Sequence, residues 1–178
     1  MDNTDPKSEK RANLISRVWR QVLVVLILAV LIGLAVWLLR PKPLISQAQR
    51  QQISFTILVP KDPYKINRKS LLYSTSSKIL TYTVESNDSS PEFHVTEQSE
   101  PEVLNIGGQD IYQKFVDSLG EYSEIDTAVG KVSLTKPNKL NGQSAVLAYQ
   151  GTLIFVRPTT NISDASWRSL FNTMQIYQ

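Results

Sequence analysis

Eighteen consecutive residues, Val22 to Leu39, carry no charge, no polar side chain and no proline. As a helix rising about 1.5 Å per residue, such a run is about 27 Å long, enough to cross a hydrocarbon core. Inside hydrocarbon the backbone must satisfy its own hydrogen bonds, so the run is expected to be a transmembrane helix. Trp19 and Trp37 bracket it at headgroup level, and Lys7, Lys10, Arg11, Arg17 and Arg20 precede it, against Arg40, Lys42 and Arg50 beyond. The excess of positive charge ahead of the span places the N-terminus in the cytoplasm and the remainder of the chain outside. A cleavable signal peptide usually has a shorter apolar core, and Ser46-Gln47-Ala48 lies well past the run, so an uncleaved signal anchor is the reading adopted.

This divides the chain into a cytoplasmic tail (1–21), the transmembrane helix (22–39), a polar stalk (40–52) opened by the helix-ending Pro41 and Pro43, and an extracytoplasmic domain (53–178). Ala29 and Gly33 form a small-xxx-small pair that would let two anchors approach closely, making a homodimer a candidate.

Charge is split along the chain in the same way. Residues 1–50 hold eight basic and three acidic residues, net +5, whereas residues 51–178 hold eleven and thirteen, net −2. The basic balance is therefore a signal of topology and of affinity for anionic headgroups, with no call for nucleic acid. The chain has no cysteine, which removes disulfides, thiol chemistry and thiolate metal sites.

After the stalk, period-two patterning predicts strands at Ile53–Val59, Ser70–Thr75, Ile79–Glu85 and Glu92–Gln98. In the last of these Phe93, Val95 and Glu97 alternate against His94, Thr96 and Gln98. Beyond Gly107-Gly108 the stripe Ile111, Tyr112, Phe115, Val116 and Leu119 predicts a helix, with Asp110 near its start and Gly120 at its end. Strands are expected again at Tyr122–Ala128, Lys131–Leu134, Ser144–Tyr149 and Thr152–Arg157. A turn is expected at Leu140-Asn141-Gly142, and Gln150-Gly151 should make a two-residue hairpin. A final helix, capped by Ser163 or Asp164, carries Trp167, Leu170, Phe171 and Met174 on one stripe. The fold class that follows is α+β: an N-terminal transmembrane helix, then a mostly antiparallel sheet with helices packed on one face.

Candidate chemistry is sparse. Eleven acidic residues (Glu85, Asp88, Glu92, Glu97, Glu100, Glu102, Asp110, Asp117, Glu121, Glu124 and Asp126) face one basic residue, Lys114, between positions 85 and 126. No EF-hand spacing organises them, and a solvated acidic face is expected rather than a calcium site. His94, the single histidine, shares a strand face with Glu92, but one imidazole without a second imidazole or a thiolate reads as a surface histidine. There is no Gly-x-Ser-x-Gly elbow, Gly107-Gly108 lacks a following Lys-Ser/Thr, and Asn161-Ile162-Ser163 matches a glycosylation acceptor, a short pattern common by chance whose Ser163 already serves the helix cap. Lys61, Lys65, Arg68, Lys69 and Lys78 cluster early in the domain, facing headgroups or solvent. No catalytic, cofactor-binding or metal-ligating residue is therefore assigned.

The order of elements resembles single-pass envelope proteins of bacteria of the actinobacterial domain-of-unknown-function type. The resemblance lies in the apolar strand Phe55 to Pro60, in Phe93-His94-Val95-Thr96-Glu97-Gln98, in the Gly-Thr hairpin between Ala145 and Val156, and in a final helix carrying Leu170. More distantly the order is similar to the PsbP/Mog1 type of antiparallel α/β sandwich. A related domain family stands behind anti-sigma factors whose cytoplasmic part binds zinc through Cys and His. The tail here has neither, which argues against that role. The resemblance implies no catalytic residues. The expected function is a membrane-anchored, extracytoplasmic, non-catalytic binding or scaffolding module of the cell envelope with a protein partner there. The alternatives are a carrier of a lipid-like ligand or an envelope enzyme.

Overall fold

The computed structural model describes residues 23, 25–37, 43–87, 91–106, 108–120, 122–137 and 142–177, and the chain divides into two compact units, Met1–Leu44 and Ile45–Gln178. In the first unit residues 25–37 form helix α1, with Leu23 also helical. The cytoplasmic tail and positions 22, 24, 38 and 39 of the expected span lie outside the described residues. Among those that are described, no helix is long and apolar enough to cross a membrane.

The second unit opens with α2 (Gln47–Gln52) where a stalk was expected. Its residues are helical because Ser46 caps it: the Ser46 hydroxyl accepts from Gln49 N–H at 3.3 Å, while the Gln49 side chain accepts from Ser46 N–H at 3.2 Å. Ile45 is buried, and Tyr73 Oη–H donates to Gln52 O at 2.9 Å. The domain thus begins at Ile45 rather than at residue 53, because an apolar side chain and a capped turn are already built into it.

Then follow β1 (Leu58–Pro60), β2 (Tyr64–Ser74), β3 (Ile79–Ser86), β4 (Phe93–Ser99), α3 (Glu102–Ile106), α4 (Gly108–Ser118), β5 (Tyr122–Thr127), β6 (Gly130–Thr135), β7 (Ser144–Tyr149), β8 (Thr152–Pro158), α5 (Asp164–Thr173) and β9 (Met174–Ile176). Seven strands form one sheet in the order β2-β3-β4-β8-β7-β6-β5, antiparallel throughout, and β1 pairs with β9 in a separate two-stranded ribbon. The fold is α+β, as the alternation of patterns implies. Gln150 and Gly151 both take positive φ, 47° and 74°, which matches the strand twist of a two-residue hairpin between β7 and β8. Of the Leu140-Asn141-Gly142 turn, residues 140 and 141 lie outside the described residues.

The helices do not share one face. Cross-strand register places Leu80, Tyr82 and Val84, Phe93 and Val95, Ile154 and Val156, and Leu147 on one side of the sheet. Against this side packs α5, where Trp167 lies 5.9 Å from Phe93 and is stacked on Phe171 at 6.0 Å. The opposite side carries Val146 and Leu153, which cluster with Leu104, Ile111, Tyr112, Phe115 and Leu119 of α3, α4 and the residue after α4's last turn. Phe115 meets Phe155 edge-on at 6.2 Å, and Tyr112 Oη–H donates to Val146 O. The one-face expectation fails because β7 and β8 are buried on both sides: Ala145, Val146 and Leu147, then Leu153 and Ile154, run apolar without alternation. β3 alternates in burial because only one of its sides is covered.

The C-terminal helix closes the core, with Trp167, Leu170 and Phe171 buried and Ser163 Oγ accepting from Ser166 N–H. Phe171→Ala or Trp167→Ala should cost about 3–5 kcal/mol, out of the roughly 5–15 kcal/mol that holds such a domain folded. Ser169→Ala, on the exposed side, should change stability by less than about 0.5 kcal/mol. Asn172 is no such control, since its Oδ1 accepts from Ala128 N–H at 2.8 Å. Urea unfolding of residues 45–178 measures all three, and an unchanged midpoint for Phe171→Ala would show that the helix does not close the core.

Candidate functional site

The expected strand at residues 53–59 is regular only from Leu58, yet Ile53, Phe55, Ile57, Leu58 and Val59 are all buried. The segment has no ladder neighbour before Leu58, so its backbone groups find other partners. Thr152 Oγ1–H donates to Thr56 O at 2.7 Å, and Tyr177 N–H donates to Ile57 O at 2.8 Å. At Leu58 both backbone groups meet two buried side chains, Glu97 of β4 and Tyr82 of β3.

Glu97 is 0 % exposed and Tyr82 is 2 % exposed. The phenolic oxygen of Tyr82 lies 2.5 Å from Leu58 O and 2.9 Å from Glu97 Oε1, and Leu58 N–H points at the carboxyl, 3.2 Å from Oε1 and 3.3 Å from Oε2. The tyrosine has one proton for two acceptor atoms, so an ionised Glu97 would leave one of these contacts without hydrogen. A protonated Glu97 removes the conflict. Its Oε1–H then donates to Tyr82 Oη, Tyr82 donates to Leu58 O, and Leu58 N–H donates to Oε2, closing a ring in which every group is satisfied. Electrostatics point the same way: burial drives the Glu97 carboxyl up from 4.5 to about 8, and the hydrogen bonds from Tyr82 and Leu58 offset only part of that rise. Burial, with the neighbouring Glu97, also pushes the Tyr82 phenol well above its ordinary value, so it stays protonated.

Glu97 therefore does not belong to a solvated acidic face. Glu85, Glu92, Glu102, Asp117, Glu124 and Asp126 are exposed, Glu100 is half-buried, and Asp88 and Glu121 lie outside the described residues, as does the side chain of Asp110. No group of three acidic or histidine side chains among the described residues could hold a metal ion. No family model, curated protein or solved structure matches this chain.

Alternation already set Glu97 beside Phe93 and Val95, on the side that proves to be buried. Its partners, 15 and 39 positions earlier, had no such signal. His94 is exposed on the other side of β4, its Nδ1 3.5 Å from Thr83 Oγ1, and so does not meet the ring. Walled in on all sides, Glu97, Tyr82 and Leu58 form a latch that fastens the entering chain to the sheet.

Between pH 4.5 and about 8 the folded domain binds one proton more at Glu97 than the unfolded chain does. Stability from this group is therefore fully present below 4.5 and declines as pH rises through that window, on the order of 1 kcal/mol per pH unit. Glu97→Gln keeps a neutral side chain that both accepts and donates, and should flatten the decline. Glu97→Ala leaves Leu58 N–H unpaired and should cost about 1–3 kcal/mol at pH 5.5, a cost that narrows as pH rises because the variant, like Glu97→Gln, has no carboxyl there to titrate. Urea midpoints of the parent and both variants at pH 5.5, 6.5 and 7.5 test this. Parallel pH profiles for parent and Glu97→Gln would mean the buried carboxyl is not held neutral.

Proposed function

We propose that this chain is a membrane-anchored, extracytoplasmic, non-catalytic binding or scaffolding module of the bacterial cell envelope. The observation that carries the reading is α1. Its large apolar side chains, from Val25 to Trp37, are each 50–68 % exposed around the whole circumference of the helix. A helix apolar on every side requires an apolar surrounding on every side. Nothing in an aqueous phase supplies that, whereas acyl chains do. The run continues in sequence through Val22 and to Leu39, which gives the length a span needs. The charge imbalance across it supports a cytoplasmic N-terminus with residues 45–178 outside.

The scaffolding half of the reading draws on the domain's interior. Tyr64, Phe93, Trp167 and Phe171 meet in a chain of ring contacts of about 6 Å, which fills this part of the layer beneath the sheet with side chains. The buried carboxyl is occupied with holding Leu58. The likeness to single-pass envelope proteins belongs to this proposal, as does a homodimer through Ala29 and Gly33, where a side chain added at Gly33 would meet open space.

Protease added to intact spheroplasts should digest residues 45–178 and leave an N-terminal epitope protected until the membrane is permeabilised. Carbonate extraction should leave the protein in the membrane fraction. A protected domain would overturn the orientation, and release by carbonate would overturn the anchor.

A further inference from the structure

The side of the sheet away from the Glu97 latch is only partly covered. α3 and α4 lie over Val146, Leu153 and Phe155, while the neighbouring stretch of β3 and β4 presents Thr81, Thr83, His94, Thr96 and Gln98. Where the covered and open parts meet is a groove of about 460 Å³ lined by His94, Thr96, Ser144, Phe155, Val156 and Arg157. The volume falls within the range of small-molecule sites.

Register fixes how these side chains stand. His94 on β4 lies directly opposite Arg157 on β8, and Ala145 pairs with Val156, which sets Ser144 beside Arg157 on β7. Those three form one row across the sheet. Thr96 and Phe155 are paired in the next row. β8 is the central strand of the seven, so the backbone beneath Arg157 is held from both sides. Arg157 forms no ion pair among the described residues, and no carboxylate lines the groove there. Of the acids nearest in register, Glu85 accepts from Asn67 Nδ2 at 2.7 Å, and Glu92, exposed two residues before His94 on the same side of the strand, is outside the groove's lining.

We infer that this groove binds a phosphate monoester, its oxyanion held by Arg157 and His94 and its organic part lying on Phe155. A guanidinium supplies a planar fork of N–H donors matched to two phosphate oxygens. An imidazole N–H and the hydroxyls of Thr96 and Ser144 add donors for the third. Ser144 Oγ is already 2.7 Å from Thr135 Oγ1, which orients it, and with Thr135 as the donor of that bond the Ser144 proton is left for a phosphate oxygen. Phe155, itself braced edge-on by Phe115, gives the site an apolar wall that inorganic phosphate would leave unused. The inference deepens the reading as a binding module and does not depend on membrane topology, so its failure leaves the protease result standing.

The chain contains one histidine, and its imidazole Hε1 resonance therefore reports on this groove without assignment. The test is titration of the full chain, in a neutral detergent, with phenyl phosphate, inorganic phosphate or phosphatidic acid added to the micelles. Phenyl phosphate should move the resonance saturably, and more tightly than inorganic phosphate by several-fold. Arg157→Gln should weaken binding at least ten-fold and Arg157→Lys by less, because lysine keeps the charge but loses the fork. Arg168→Gln, on the exposed side of α5, should leave it unchanged. Saturation by phenyl phosphate but not by phosphatidic acid identifies a soluble ligand, and the reverse identifies a lipid headgroup. A resonance that none of the three moves overturns the site, as does a response that Arg157→Gln leaves intact.

Discussion

A carboxyl group buried beneath a sheet must be neutral or paired, and in this domain that requirement organises the entry of the chain. Glu97 sits in the apolar layer, between Leu80 and Ile154 in cross-strand register, with Tyr82 and Leu58 within hydrogen-bond distance. Leu58 opens β1 and stands opposite Ile176 in register, yet both of its backbone groups are met by side chains, and the three form one closed unit. Leu58 lies within the apolar N-terminal segment that this unit fastens, where Ile53, Phe55, Ile57 and Val59 are all buried. Tyr177 and Thr152 add bonds on the residues just before.

The rest of the domain is arranged in layers around that constraint. The side of the sheet that holds Glu97 is sealed by the entering segment, by α5 and by the β1–β9 ribbon, which ties the two ends of the domain together through Leu58 and Ile176. The other side is sealed over β7 and β8 by α3 and α4 and left polar over β3 and β4. That division produces the groove. A covered apolar patch ending beside an open hydroxyl-bearing one is where an arginine can be fixed by the sheet and still reach solvent. The latch and the groove thus lie on opposite sides of β4 and β8, one walled in, the other open.

Much of this was legible because burial on one side of a strand writes itself as alternation. β3 and β4 follow the pattern residue by residue, and the stripe Trp167, Leu170 and Phe171 marks α5 in the same way. Even the burial of Glu97 is contained in the alternation Phe93, Val95, Glu97. Grouping it with the exposed acids of the same region hid that. The second helical layer left a trace too, in apolar runs such as Ala145–Leu147 that do not alternate because both sides are covered.

The sequence by itself determined the apolar run Val22 to Leu39, the charge difference around it, most of the strands, both amphipathic helices and the Gln150-Gly151 hairpin. Each is dictated by neighbours a few positions away, through period, capping or a positive φ. Tertiary structure alone decided the rest. β1 and β9 are three residues long and lie more than a hundred positions apart, so neither has a local pattern strong enough to announce the pairing. α2 resembles a stalk until Tyr73 and Ile45 fix it to the domain. The protonation of Glu97 and the meeting of His94 with Arg157 depend on strand order across a sheet. Strand order is set by how buried faces close over one another, which no short window of residues contains.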